Sequence, residues 1–109
     1  MIDLATKHCS PRSGPALSRP VAENLLNQLT GWTMDGGAKE IHRTFACKDY
    51  YAGMAFVNAV AWIAHQEDHH PDMAVGYNKV TVTFSTHSVG GLSENDFICA
   101  AQVDALGAA

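Results

Sequence analysis

Hydrophobic and polar residues alternate along this chain with two different periods, and the changes of period mark the predicted elements. Apolar residues at helical spacing follow Pro20, which suits the first turn of a helix, and Gly31 is placed to end that helix. Residues 32–34 and 40–47 show the pattern of two strands, with a glycine-containing turn between them. The first half of the chain is therefore predicted to fold as a helix followed by a strand pair.

A longer helix is predicted over about residues 50–69, with Asp49 as its N-cap. This segment is apolar around most of its circumference, and small residues fill the spaces between the large ones. Because such a helix must be largely covered, we expect a sheet on one side and another subunit on the other. Phe56 and Trp62 are therefore predicted to lie in the core or in an interface.

A second strand pair is predicted at residues 73–75 and 79–87, and the later strand shows the clearest alternation in the chain. Its even-numbered residues are expected to face the core, so His87 is expected on the polar face, accessible to a ligand. After a double glycine, the last helix opens at Ser93 in the style of a capping box, with Asp96 in place of the usual Glu or Gln.

The order of these elements is α-β-β-α-β-β-α, which predicts an α+β fold. We expect two layers, with a four-stranded antiparallel sheet and three helices packed on one face. Residues 1–17 lack periodicity and contain Pro, Gly and Ser, which predicts a flexible N-terminal arm. Residues 18–109 are predicted to form a single domain.

The composition indicates which classes of protein the chain fits. The chain has 109 residues and a formal net charge of −4. Its hydrophobic fraction of 47% is typical of a globular domain. The chain has no basic run of the kind that forms a nucleic-acid surface and no apolar stretch long enough for a membrane helix. Its N-terminus lacks the apolar region of a signal peptide. The three cysteines form no metal-type pair, so we expect free thiols and a cytoplasmic location.

Candidate chemistry is concentrated at the end of the long helix, since four of the six histidines lie between residues 65 and 87. Histidine changes charge near neutral pH, so such a cluster indicates proton transfer or metal binding. Pro71 disfavours the α conformation for His70, which predicts that the helix ends near His69. His65, four residues before His69, would then share a helix face with it. We take this helix end as the candidate functional centre.

The spacing of these residues resembles the motif of the pterin-4a-carbinolamine dehydratase family. That motif has an acidic or similar residue, three residues, His-[His/Asn]-Pro, a short gap to an aromatic residue, nine residues to another His, and a later Asp-Trp. The corresponding residues here are His65, His69-His70-Pro71, Tyr77, His87 and Asp96-Phe97. The resemblance covers roughly residues 18–106. It departs from the family pattern at His65, where many members carry Glu, and at Phe97, which replaces Trp.

The resemblance implies a subunit of a homodimer or homotetramer that needs neither a cofactor nor a metal. It implies removal of water from 4a-hydroxytetrahydrobiopterin, or a related 4a-hydroxytetrahydropterin, to give quinonoid dihydropterin. This reaction recycles the pterin that aromatic amino acid hydroxylases use, as in phenylalanine hydroxylation. The catalytic histidines correspond to His69, His70 and His87. The substrate-binding or supporting residues that it implies are Asp68, Asp96, His65, Ser85 and Thr86.

The reaction needs a proton delivered to the leaving hydroxyl and a proton removed from N5. We expect His69 and His87 to act as the acid/base pair, each contributing ~10²–10⁴-fold, and His70 to bind and orient the pterin. Asp68 or Asp96 would stabilise an imidazolium or fix a tautomer. For Asp96, a purely structural role as a helix cap is the alternative.

Two other functions compete with this interpretation. A metal site is indicated by His65 and His69 with Asp72 or His87, although Gln66 occupies the position where zinc proteases of the His-Glu-x-x-His type carry Glu. The second competing function is a non-catalytic binding role, because relatives of this fold act as dimerisation partners of a transcription factor or as assembly factors for a carboxylase. Retention of all three histidines favours the enzyme.

Overall fold

Three helices pack against a four-stranded antiparallel sheet in the computed structural model, which describes residues 3–107. The helices are α1 (Arg19–Leu26), α2 (Tyr50–Glu67) and α3 (Glu94–Asp104). The strands are β1 (Thr33–Met34), β2 (Ile41–Ala46), β3 (Asp72–Val75) and β4 (Lys79–Phe84). Short 3-10 helices lie at Leu4–Thr6 and His87–Val89. The predicted α+β class and the order of its helices and strands are confirmed.

The strands are arranged in the order β1-β2-β4-β3, so β2 and β4 are central and β1 and β3 are the edges. β2 pairs with β4 from Ile41 opposite Phe84 to Ala46 opposite Lys79. Paired residues point to the same face of a sheet, so this register places the large apolar residues of both central strands on one side. The even-numbered residues of β4 therefore share a face with Ile41 and Phe45 of β2.

The predicted inward face of β4 is confirmed, because its even-numbered residues and Thr86 are all buried. Apolar residues of α2 and α3 cover this face and form one cluster with it. Trp32 belongs to the same cluster: its ring centroid lies 6.0 Å from that of Phe84, and its Nε1 donates to Asp104 at 3.0 Å. The largest fully buried side chains of the core include Phe84, Phe97, Ile41, Leu92 and Ile98.

Helix α2 ends at Glu67, two residues earlier than predicted. Asp68 adopts the left-handed conformation, with φ 51° and ψ 44°. The N–H of His69 donates to the carbonyl of Ala64 at 3.1 Å, and the N–H of Asp68 donates to that of His65 at 3.4 Å, which is the Schellman arrangement of a helix end. Aspartate enters the left-handed region more readily than most residues. The chain therefore leaves the helix before His69.

Strand β4 ends at Phe84 and does not continue to His87 as predicted. Beyond it, Thr86 pairs with Gly91 in an isolated antiparallel bridge. His87 opens the short 3-10 helix, which Gly90 closes in the left-handed conformation with φ 69°. The side chain of His87 is exposed, as the alternation predicts.

Both long helices begin at the predicted caps. Asp49 accepts a hydrogen bond from the N–H of Ala52 at 2.8 Å and caps α2. At α3, the Ser93 side chain and the Asp96 side chain complete the predicted capping box. These side chains satisfy backbone N–H groups that the first turn of a helix leaves without partners.

Residues 3–17 of the predicted arm are irregular apart from their 3-10 helix and pack against α2 and α3, while residues 1 and 2 lie outside the described part of the chain. Its main anchor is Glu67, whose side chain is only 5% exposed. Glu67 accepts hydrogen bonds from the N–H of Cys9 at 2.7 Å, from Nδ1 of His8 at 2.8 Å and from Nε2 of Gln102 at 3.0 Å. The flexibility of the arm and its separation from the domain remain predictions.

One side of α2 faces solvent, with Tyr51 85% exposed and Trp62 63% exposed. The other side is covered as predicted, because Phe56 is buried against the sheet cluster. Cover by a second subunit stays a prediction. Within residues 3–107, no helix is both long and apolar enough to cross a membrane.

The pH dependence of stability should reveal the Glu67 anchor. Burial by itself raises the pKa of the Glu67 carboxyl, but its hydrogen bonds from Cys9, Gln102 and His8 outweigh burial and lower the pKa from 4.5 to about 2. The carboxylate therefore stabilises the fold above about pH 4.5, and this contribution is lost as the pH falls towards 2. We expect Glu67→Gln to lower the free energy of unfolding by about 1–3 kcal/mol at neutral pH, measured by urea denaturation.

The control for this prediction is Glu40→Gln, at an exposed carboxylate before β2. It should leave the free energy of unfolding within about 0.5 kcal/mol of the wild type. The deficit of Glu67→Gln should shrink as the pH is lowered. A deficit of the same size at neutral pH and near pH 2 would contradict the role given to the ionised carboxylate.

Candidate functional site

The carboxylate of Asp96 is the centre of a polar network, and its side chain is completely buried. Oδ1 accepts a hydrogen bond from Nε2 of His69 at 2.6 Å. Oδ2 accepts hydrogen bonds from Oγ1 of Thr86 at 2.8 Å and from the N–H of Ser93 at 2.9 Å. Both oxygens are thus satisfied, which a buried carboxylate requires.

The protons of this network have one consistent arrangement. Because an ionised carboxylate can only accept, His69 Nε2 and Thr86 Oγ1 both donate to Asp96. Thr86 Oγ1 in turn accepts from Oγ of Ser93 at 2.7 Å, and that Oγ accepts from the N–H of Asn95 at 3.2 Å. The neutral His69 ring therefore carries its proton on Nε2 and presents Nδ1 as an acceptor, which is the arrangement of a general base.

Three elements that are separate in sequence position these groups. His69 lies in the turn after α2, Thr86 follows β4, and Ser93 and Asp96 begin α3. The partial positive charge at the N-terminus of α3 adds to the hydrogen bonds that stabilise the carboxylate. Asp96 completes the predicted helix cap through Oδ2 and binds His69 through Oδ1, while its support of catalysis stays a prediction.

The His69 ring lies between the core and a cavity. It is parallel to the ring of Phe84, with centroids 6.0 Å apart and an interplanar angle of 8°. The His69 side chain is 10% exposed and lines a cavity of about 350 Å³, together with Asp68, Thr86 and Ser88. A cavity of this size suits a small organic molecule. The fixed residue His69 and the exposed residue Asp68 thus both line a space that a small molecule can enter.

Four residues predicted for the site lie outside the network and are exposed: His65, His70, Ser85 and His87. His70 directly follows His69 in the chain, and His87 directly follows Thr86. The network therefore anchors the backbone beside both exposed histidines. Of the eight predicted site residues, the structure brings Asp68, His69, Thr86 and Asp96 to one place. The part of each residue in binding or catalysis stays a prediction.

The helical pair expected for a metal site does not form. His69 lies beyond the end of α2 and its ring is bonded to Asp96, whereas His65 remains on the helix. Across the described residues 3–107, no group of three or more His, Cys, Asp or Glu side chains is placed to share one metal ion. The early end of α2 at Glu67 is the physical reason for this difference from the prediction.

Several contributors to the site carried no clear signal in the sequence. Phe84 was predicted to face the core, but periodicity alone does not indicate that its ring meets a histidine. The Ser93 hydroxyl was visible as a helix cap and not as a link between Thr86 and Asn95. Residues 9–12 of the arm line the cavity, although they precede His69 by about half the length of the chain. Contacts between such distant segments follow from packing and leave no local pattern.

Comparison with known proteins assigns a family. The model of the family described as pterin 4 alpha carbinolamine dehydratase matches residues 15–106, which is most of the chain. A protein of Nitrosospira multiformis is 58% identical over 106 residues, covering 95% of this chain and 92% of the relative. A protein of Nitrosomonas eutropha is 60% identical over 107 residues, covering 95% and 93%. Both carry the provisional name pterin-4-alpha-carbinolamine dehydratase.

Two solved structures share the fold. A transcriptional coactivator/pterin dehydratase from Brucella melitensis is 34% identical, with a TM-score of 0.79 over 84% of this chain and 97% of that chain. A pterin dehydratase-like protein, identified as a RuBisCO assembly factor in the alpha-carboxysome, is 27% identical, with a TM-score of 0.61 over 72% and 93%. The same scaffold is therefore found under names that describe different functions, and function has to be argued from the site.

Replacement of the central carboxylate should weaken the fold and release His69. In Asp96→Asn the amide cannot accept from all three donors, so we expect the free energy of unfolding to fall by about 2–4 kcal/mol. Urea denaturation measures this loss. Nitrogen-15 NMR of the histidine rings should show the single Nε2-protonated form of neutral His69 replaced by a mixture of tautomers.

Asp49→Asn is the matched control, because it changes an aspartate of the same kind at the start of α2. Asn caps a helix about as well as Asp, so the free energy of unfolding should change by less than about 0.5 kcal/mol. Equal losses in the two variants would mean that Asp96 is only a cap.

Proposed function

The chain belongs to the pterin-4a-carbinolamine dehydratase family, and from this membership we propose that it removes water from a 4a-hydroxytetrahydropterin to give quinonoid dihydropterin. The proposed substrate is 4a-hydroxytetrahydrobiopterin or a related 4a-hydroxytetrahydropterin. The observation that carries the proposal is the bond from His69 Nε2 to the buried Asp96, in a histidine that lines a cavity. With Nε2 bonded to Asp96, Nδ1 is the ring nitrogen left to accept a proton. A dehydratase of this kind needs such a group.

The chemistry consists of two proton transfers and one bond cleavage. The C4a–O bond breaks as an acid protonates the leaving hydroxyl, and a base removes the proton from N5 as the C4a–N5 double bond forms. Substrate therefore becomes product plus water, and no oxidant or reductant takes part. Imidazole serves as acid or base near neutral pH, which suits both transfers.

His69 and His87 are the proposed acid/base pair, and His70 binds and orients the pterin. Asp96 would stabilise the imidazolium that forms when His69 takes a proton, since Nε2 and Oδ1 are 2.6 Å apart. Oγ1 of Thr86 donates to the other carboxylate oxygen of Asp96, Oδ2, at 2.8 Å. Supporting or substrate-binding roles are proposed for Asp68, His65 and Ser85 as well.

The proposed context is recycling of the pterin of an aromatic amino acid hydroxylase in the cytoplasm. Three free thiols, at Cys9, Cys47 and Cys99, support a reducing compartment. No cofactor or metal is assigned a step, because the two proton transfers account for the reaction.

Stopped-flow decay of chemically generated 4a-hydroxytetrahydropterin tests the proposal. The wild type, after chelation of metals, should accelerate the decay. His69→Ala and His87→Ala should each lower the turnover by ~10²–10⁴-fold, because each removes one proton-transfer group. His70→Ala should also lose most of the turnover, and the His69→Ala/His87→Ala double variant should be inactive.

His42→Ala is the control for a histidine outside the site, since His42 lies on β2 opposite Thr83. Its turnover should equal that of the wild type. Full activity in the double variant would remove the histidines from the mechanism, and dependence of wild-type activity on a metal would favour the metal alternative. Absence of any acceleration would contradict dehydratase activity.

We further propose that the chain forms a homodimer or homotetramer. The support is the solvent-facing side of α2, where the aromatic side chains of Tyr51 and Trp62 are exposed. Such residues are enriched in protein interfaces. The edge strand β3 (Asp72–Val75) offers a second site, because no strand within residues 3–107 pairs with its outer side.

Trp62→Glu should lower the mass of the assembly, because a charge in an apolar interface is costly to desolvate. Analytical ultracentrifugation of the wild type should show a dimer or a tetramer, and the variant should show a smaller species. Gln28→Glu, at an exposed residue just beyond the end of α1, adds a charge outside α2 and serves as the control. A wild type that is monomeric at all concentrations would contradict the proposal.

A non-catalytic assembly or binding role is the second candidate. The similarity to the assembly factor and the exposed aromatic residues of α2 favour it. The two functions make different predictions for the kinetic experiment, because a binding protein would not accelerate the decay although it folds and associates normally.

A further inference from the structure

The arm forms one wall of the cavity that His69 lines, yet the family match begins only at residue 15. Four consecutive arm residues line the cavity: Cys9, Ser10, Pro11 and Arg12. A substrate bound beside His69 therefore lies against a segment to which the family match gives no role.

The buried side chain of Asn95 holds this segment in place. Its Oδ1 accepts from the N–H of Ser10 at 3.2 Å and from Nε of Arg12 at 3.0 Å, and its Nδ2 donates to the carbonyl of Ser10 at 2.8 Å. Ser88, from the 3-10 helix after β4, donates to the carbonyl of Arg12 at 2.9 Å. Main chain and guanidinium are thus both fixed at the cavity wall.

Arg12 is the cationic side chain of this wall, and its hydrogen-bonding capacity is not exhausted. Beyond the bond to Asn95, it reaches Oε1 of Glu94 from a terminal nitrogen at 3.4 Å. A guanidinium has five N–H donors, so these two contacts leave donors for an acceptor in the cavity. Its side chain is 29% exposed, which permits contact with a ligand.

We propose that Arg12 contacts an oxygen-bearing substituent of the bound pterin and so helps to determine which pterin the site accepts. This inference rests on the proposed dehydratase function. His69 has to lie near C4a and N5 to transfer a proton there. A hydrogen-bond donor on another wall of the same cavity therefore contacts a different part of the substrate. A hydroxylated side chain offers acceptors to Arg12, and a methyl substituent offers none.

Lys7 provides a matched control for Arg12. Both are basic residues of the arm, both pair with Glu94, and their side chains are 32% and 29% exposed. The ion pair of Lys7 is the shorter, with Nζ 2.6 Å from Oε2, whereas Arg12 lies 3.4 Å from Oε1. Of the two, Arg12 lines the cavity and Lys7 does not. A role confined to anchoring the arm would affect Lys7 variants at least as strongly.

The test compares steady-state kinetics with two substrates, 4a-hydroxytetrahydrobiopterin and its 6-methyl analogue, which lacks the hydroxyl groups of the side chain. Arg12→Ala should raise KM for the biopterin substrate roughly tenfold, with kcat and the KM for the methyl analogue close to wild type. Lys7→Ala should leave the ratio of the two KM values unchanged. Arg12→Gln provides the same comparison if the alanine variant does not fold, as judged by thermal melting.

The inference is overturned if Arg12→Ala leaves both KM values unchanged, or if it raises them equally. Activity of the wild type on either substrate distinguishes this failure from a failure of the dehydratase proposal. A wild type inactive on both would contradict the proposed function and the inference with it.

Discussion

The buried carboxylate of Asp96 is the interaction on which both the fold and the site depend. It joins the turn after α2, the segment after β4 and the start of α3, because each supplies one hydrogen bond to it. A charge with no exposure is tolerable only when its hydrogen bonds are complete, since loss of one partner of a buried pair costs about 3–5 kcal/mol. The hydrogen bonds that stabilise the fold at Asp96 therefore include the one that positions His69.

Glu67 and Asp96 place two buried carboxylates near one cavity, and they serve different purposes. Asp96 orients an imidazole that faces the cavity. Glu67 holds the arm, and its hydrogen bonds keep its pKa near 2, so it stays charged at neutral pH and is unsuited to exchange protons in the reaction. Both carboxylates are buried and need hydrogen-bond donors. The donors of Asp96 include the imidazole of His69, so Asp96 shapes the site, whereas the donors of Glu67 include the arm, so Glu67 stabilises the fold.

The three histidines of the proposed mechanism have unequal surroundings. His69 is stacked on Phe84 and bonded to Asp96, whereas His70 and His87 are exposed. The bond to Asp96 favours one tautomer of the His69 ring, whereas the side chains of His70 and His87 face solvent. A similar scaffold occurs in a protein identified as an assembly factor, so these side chains and not the fold would distinguish an enzyme from a binding protein.

The sequence by itself determined the order of the elements, the inward face of β4, and the caps at Asp49, Ser93 and Asp96, because these depend on residues only a few positions apart. The spacing of its histidines also indicated the family that the comparisons confirm. The tertiary structure decided the early end of α2, the bond between His69 and Asp96 across 27 residues, and the arm that closes the cavity. Asp68 adopts the left-handed conformation that glycine usually provides at a helix end, so the sequence contains no glycine to indicate where α2 ends. The other two features are contacts between distant segments, whose energy depends on how the elements pack and not on the periodicity of any one of them.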